Sequence, residues 1–333
     1  MRAFAVLLLT AGMVLSTVSP GWSLTIKLST LAPEGSPWHQ IIRDMADEWE
    51  EISEGRVKIR IYAGGVAGDE HDMVRKMRVG QLQAAVISGE GMSGVVPDVQ
   101  VLQLPMLLQS NAELDYVRDR IAPQLEAAFE AKGFKILNWG DAGWVRLFAD
   151  HQVTDSSQRG DLKLFSWNGD PAFIDAWKSA GFQPVPMQAT ELHPALSSGL
   201  VNSFITTPLA ALSFQWFGQA KHMLDIRWLP LVGSTVIHSR AWDKIPDDLK
   251  PKLAESARRS GDRLRRETRE LDDKAISVMQ EYGLQVHSVT DVQRRQWEGV
   301  ARDARPLLVG PIVPPGIAAE ATKLRDEFRA SQK

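Results

Sequence analysis

Few residues in this chain are spaced for chemistry. Gly89-Glu90-Gly91-Met92-Ser93-Gly94 matches G-x-G-x-x-G, a pattern that in dinucleotide-binding units follows a strand and opens a long crossover helix. A strand is expected just before it, over 84–87, but Pro97 and Pro105 leave room for only about two helical turns. The glycines therefore read as a permissive loop at a strand end rather than as a nucleotide site. No G-x-x-x-x-G-K-[ST], G-x-S-x-G or H-E-x-x-H occurs, and the histidines at 39, 71, 151, 193, 222, 238 and 287 never fall at metal-ligand spacing. Cysteine is absent, which removes thiol nucleophiles, disulfides, zinc-thiolate sites and lipid attachment to an N-terminal cysteine.

What remains is the chemistry of recognition. Trp38, Trp139, Trp144, Trp167, Trp216 and Trp228 fall near the ends of expected elements, where indole rings can enclose an apolar or aromatic ligand body and their N–H groups can bond its polar end. Trp167 and Trp228 are the preferred pair, Trp228 lying just before Pro230-Leu231-Val232-Gly233. Arg146 interrupts the apolar run 144–148, and a charge in such a place normally has a partner. Glu90 falls at a strand end, the position where open α/β sheets take ligands, and is expected to accept a substrate hydroxyl or to pair with Arg146 in an empty site.

The elements that must position these residues are legible as periodicities. Leu24-Thr25-Ile26-Lys27-Leu28-Ser29 and Val57-Lys58-Ile59-Arg60-Ile61-Tyr62 alternate apolar with polar, the mark of strands with one buried face. Between them Trp38, Ile41, Ile42, Met45, Trp49 and Ile52 recur every three or four residues, one face of a helix. A second helix carries Met73, Val74 and Met77, and Gly80 ends it before the apolar run 84–87. Further strands are expected over 135–139 and 144–148, with a turn at Gly140 and Gly143 between them, and over 163–167 and 184–186, with a helix over 171–180. A long charged helix is expected over 247–281. The alternation predicts an α/β fold with a mainly parallel sheet covered by helices.

Lys and Arg number 38 against 41 Asp and Glu, with no basic block, which argues against a nucleic-acid partner. Met1-Arg2, the apolar run 3–18 and Ser19-Pro20-Gly21-Trp22-Ser23 are the parts of an export signal, with cleavage expected after Ser23. The run falls short of a membrane span. The mature chain is thus expected outside the cytoplasm.

Four segments together carry a resemblance. They are Glu54-Gly55-Arg56-Val57-Lys58-Ile59 with Gly65 and Gly68-Asp69-Glu70; Val79-Gly80-Gln81-Leu82-Gln83-Ala84-Ala85 with Leu104-Pro105-Met106; 186–192 with 195–202; and Ala241-Trp242-Asp243-Lys244-Ile245-Pro246-Asp247-Asp248-Leu249. In order and spacing over nearly the whole mature chain they resemble the DctP-type solute-binding proteins of TRAP transporters, the tripartite ATP-independent periplasmic transporters. The resemblance implies a two-lobed periplasmic binding protein, not an enzyme, with the ligand between the lobes and a long helix spanning both. It implies lobes of 24–143 plus 233–278 and of 144–232 plus 279–333, no cofactor, and delivery of a small organic acid to membrane permease subunits driven by an ion gradient.

Family members commonly clamp a carboxylate with an arginine in a "G-x-K-x-R" strand. Here that stretch is Asp161-Leu162-Lys163-Leu164-Phe165-Ser166-Trp167, and Phe165 stands where the arginine is expected. The resemblance also places Arg146 as a second arginine near the ligand, and Phe204-Ile205-Thr206-Thr207-Pro208 at a family contact site, so the Thr206 and Thr207 hydroxyls are candidate donors. With the clamp missing, the expected ligand is a monocarboxylate or weakly charged compound with a sizeable apolar part. Alternatives are a cation held by Glu90 or Asp170 that bridges the acid, and a periplasmic lyase or hydrolase using the same cleft.

Overall fold

The computed structural model describes residues 23–168 and 171–332. The expected leader, up to Trp22, and Asp170 lie outside the described residues. The strands are β1 Leu24–Thr30, β2 Val57–Tyr62, β3 Ala84–Ser88, β4 Phe134–Trp144, β5 Arg146–Ala149, β6 Lys163–Trp167, β7 Gln183–Met187, β8 Ser203–Thr206, β9 His222–Leu224, β10 Pro230–His238 and β11 Gln285–His287. They form two sheets, ordered β2-β1-β3-β10-β4 and β11-β9-β5-β8-β6-β7. In the first sheet β1, β2 and β3 are parallel, and β10 runs antiparallel between β3 and β4. Each sheet has its own packed cores, so the fold is α/β with two lobes.

The first helix shows how closely local pattern sets the layers. Pro37–Ile52 starts at Pro37, a residue preset for the first helical position, and the Ser36 side chain accepts from the His39 N–H. It buries Ile41, Ile42, Met45 and Trp49, the face that the three-and-four spacing marks out.

The turn expected at Gly140 and Gly143 is not there. β4 runs unbroken through both glycines because β10 pairs with it along the way, Gly140 opposite Gly233 and Trp144 opposite Pro230. Gly143 has φ +105°, and a Cβ on it would stand 2.7 Å from the Asp272 carboxyl carbon, so glycine here admits a close neighbour rather than a chain reversal. The break comes at Val145, where the chain leaves the first sheet for the second. Val145 N–H donates to the Leu229 carbonyl at 2.9 Å and the Val145 carbonyl accepts from Trp228 N–H at 3.1 Å, tying the outgoing strand to the returning one. Gly89–Ser93, expected as a loop, is a single helical turn whose N-terminal Glu90 N–H is capped by the Ser88 hydroxyl.

The third crossing is the helix Lys250–Glu281, 32 residues or about 48 Å at 1.5 Å per residue. Leu253 and Ala257 belong to a core of the first lobe and Met279 to one of the second. The C-terminal helix Pro315–Ser331, expected with the second lobe, packs instead on Asn111–Ala131 of the first. Its Ile317, Ala318 and Ala321 enter that lobe's core, and Arg329 forks onto Glu113 at 2.7 and 3.0 Å. Among the described residues no helix is long and apolar enough to cross a membrane.

Candidate functional site

The ends of strands from both sheets wall a cleft with two joined compartments. Trp167, Thr206 and Leu231 line both. The first encloses about 870 Å³, its open mouth included, among Thr30, Trp38, Glu70, Asp141, Phe214 and Trp216. The second spans about 720 Å³, its open mouth likewise included, among Glu90, Gln100, Gln103, Phe165, Phe173 and Trp177. The Phe165 and Trp167 rings meet edge-on at 5.0 Å at the junction. Trp38 and Trp167 have buried indole nitrogens without a hydrogen-bond partner, two N–H donors left over once the fold is made.

Of the residues singled out by sequence, the cleft gathers Trp38, Glu90, Phe165, Trp167, Thr206 and Trp216. Six are elsewhere. Trp139 donates to Glu126 Oε1 at 2.8 Å from the first core. Trp228 sits against Trp297, centroids 5.4 Å apart, in a core of the second lobe, so it does not pair with Trp167. Phe204 is stacked on Phe148 at 5.0 Å and meets Trp216 edge-on. Trp144 donates to Asn111 Oδ1 at 2.7 Å from within the first core. Thr207 spends its hydroxyl as the cap of the helix Pro208–Ser213, accepting from the Ala210 N–H. Arg146 faces a different cavity, shared with Asp225, Arg227, Asp273, Arg294 and Glu298. Its Nη1 donates to the Trp144 carbonyl and its Nε stands 3.6 Å from Asp225. Burial, then the neighbouring Arg227 charge, holds its pKa below the usual guanidinium range. Successive side chains of an extended chain point opposite ways, and here Val145 lines the second compartment while Arg146 turns from it.

Glu90 consequently pairs with His71, not with Arg146. Nε2 of His71 is 3.0 Å from Glu90 Oε1, and that contact raises the His71 pKa.

The sequence reading missed two buried carboxylates. Glu70 begins the helix Glu70–Arg78 and accepts from Ser88 N–H at 3.0 Å, Ser88 hydroxyl at 2.7 Å and Gly91 N–H at 2.9 Å. Burial outweighs those bonds and pushes its pKa up to about 7. Asp141 is bonded through Oδ2 to Arg269 at 2.6 and 3.1 Å, with Arg269 also forked onto Asp115. Burial again raises its pKa against the pull of Arg269. Gly68-Asp69-Glu70 held a signal for Glu70, since a capping aspartate fixes where the helix and its first acid begin; Asp141 had none, lying in a stretch read as a turn. Among the described residues no Lys or Arg lines either compartment, whereas Glu70, Asp141 and Glu90 do. Among the described residues no three His, Asp or Glu side chains converge to hold a metal ion.

Comparison with known proteins matches residues 28–304 to the family model DctP, described as bacterial extracellular solute-binding protein, family 7. The 2,3-diketo-L-gulonate-binding periplasmic protein YiaO of Escherichia coli is 23% identical over 340 residues, covering 99% of each chain. Among solved structures, the sugar acid binding protein DctPAm of Advenella mimigardefordensis, in complex with galactonate, superposes with a TM-score of 0.86 at 17% identity, over 92% of this chain and 99% of that one. A TRAP periplasmic solute-binding protein of Xanthobacter autotrophicus with bound β-D-galacturonate gives 0.83 at 18% identity, over 90% and 99%.

Proposed function

Because the chain belongs to the DctP family of bacterial extracellular solute-binding proteins, periplasmic receptors rather than enzymes, we propose that it captures a small organic acid, a monocarboxylate whose bulk is apolar or aromatic, by closing its lobes around it. The lobes we assign are 24–144 with 230–278 and 145–229 with 279–314, the helix Pro315–Ser331 riding on the first. The receptor hands its solute to TRAP permease subunits driven by an ion gradient, the arrangement its family supports.

One observation carries the choice of solute: a cleft walled by indole and apolar side chains from both sheets, with no lining Lys or Arg among the described residues. Relatives are described with succinate and with sugar acids such as galactonate and D-glucuronate. A dianion among Glu70, Asp141 and Glu90 would be desolvated without a counter-charge. For a single carboxylate, the cleft-lining Trp38 and Trp167 hold unpartnered N–H donors that a small turn of either ring would bring to it, Thr206 adds a hydroxyl, and its apolar body has the rings. Thermal-shift and calorimetric titration with phenylacetate, 3-phenylpropionate and branched aliphatic acids, against succinate and galacturonate, tests this. The first group should bind and the second should not. Tight binding of succinate or galacturonate alone would overturn the reading.

A further inference from the structure

Asp69 joins the two lobes. Its side chain is almost fully buried, and Oδ1 accepts from Glu70 N–H at 2.7 Å, capping the helix Glu70–Arg78. Oδ2 accepts from the Ala189 N–H at 2.9 Å, across to the second lobe. Ala189 opens the single turn Ala189–Glu191, and a first-turn N–H has no partner within its own helix. Beside this bond a Cβ on Gly65 would stand 2.9 Å from the Thr190 methyl, and Leu31 packs on cores of both lobes. Glu70 and Ala189, either side of the bond, both line the first compartment. Every atom of this seam belongs to the protein.

We propose that Asp69 is a positioning residue for capture: its bond to Ala189 is a latch that needs no solute, populates the closed form of the empty receptor and slows solute release. The proposal rests on the reading that the solute is enclosed by lobe closure. A solute shifts the open and closed forms only by its difference in affinity for them, so a latch that already favours closure reduces the fraction of binding energy spent on closing. The bond exchanges with water on opening, so its net effect is a factor of about five to ten in the closed-to-open ratio.

Because the chain has no cysteine, Val79→Cys and Leu200→Cys, at positions 66% and 57% exposed in the two lobes, take nitroxide labels cleanly. Electron-electron distance measurement on the empty receptor should show a substantial short-distance population. Asp69→Asn keeps the cap acceptor but puts an amide NH₂ opposite the Ala189 N–H. Ala189→Pro deletes that N–H at a turn start, after an extended Gln188 (φ −77°, ψ 149°) that tolerates a following proline. Each variant should shift the distribution to longer distances, and the double variant no further than either. Unchanged distributions in both variants, or additive shifts, would overturn the latch. A wild type wholly open when empty would also overturn it, yet leave enclosure standing if 3-phenylpropionate still shortens the distance. Closure on no solute tested would remove the enclosure reading itself.

Discussion

Glu70 is a carboxyl whose charge the fold suppresses, and that has a consequence for pH. Its native pKa, about 7, lies above the ordinary 4.5, so the native state holds the proton more tightly and stability falls as pH rises from about 4.5 to 7. His71, its pKa raised by Glu90, stabilises the fold below 6.5, and that contribution is lost as pH climbs through its raised value. Glu70→Gln should therefore flatten the decline of Tm between pH 5 and 7 and leave the part above it; an unaltered slope would show that Glu70 ionises freely. Trp167→Ala, which removes the ring shared by both compartments, should weaken solute binding by about 2 to 3 kcal/mol in calorimetry. Thr207→Ala should instead cost about 1 kcal/mol of stability through its lost cap, with affinity nearly unchanged. Residue types in the sequence were enough to expect an indole-lined pocket, but not which rings line it. Trp167 and Trp228 look alike from flanking sequence; Trp167 ends β6 in the cleft, whereas Trp228 lies in the irregular segment between β9 and β10 and packs on Trp297. Arg146 likewise lines a cavity apart from the cleft, which its residue type alone does not foretell.

At the scale of elements, period-two and three-and-four spacings located β1, β2 and the helix between them, because each has one buried face and one wet one. They failed at β4, where Gly140 and Gly143 look like a turn and only pairing with β10 shows the strand continuing. The long helix was legible from its charge and length, but its fine fit was not. Gly261 in it lies where a Cβ would stand 2.6 Å from Asn138 Cβ and 2.8 Å from the Trp139 carbonyl oxygen. Alanine would gain about 1 kcal/mol in helix propensity and lose about 1–3 kcal/mol to overpacking, so Gly261→Ala should lower the urea midpoint or leave it level, and not raise it. Asp272, further along, accepts from Trp144 N–H at 3.3 Å and Leu209 N–H at 3.2 Å, one on each side of the crossing at Val145. Burial pushes its pKa up to about 6. Asp272→Ala strands both donors and should cost about 2–4 kcal/mol in urea denaturation; a loss under about 0.5 kcal/mol would mean that water replaces it.

For the whole molecule, four crossings join the lobes among the described residues: the outgoing strand at Val145, the return strand before Pro230, the helix Lys250–Glu281, and the segment before Pro315 that brings the last helix back to the first lobe. Two of these are hydrogen-bonded to each other, an arrangement suited to small dihedral changes that open and shut the cleft without disturbing either core. The division into lobes was implied by resemblance rather than by periodicity; Pro315–Ser331, expected with the second lobe, packs on Asn111–Ala131, and an amphipathic C-terminal helix does not announce which surface will cover its apolar face. The proposed receptor holds one acid of apolar bulk in its cleft and returns it unchanged. Native mass spectrometry of the purified receptor with 3-phenylpropionate tests this most directly. A one-to-one adduct is expected, which Trp167→Ala weakens and which releases the compound at its original mass. An absent adduct, an adduct indifferent to Trp167, or a released compound of altered mass would contradict this reading.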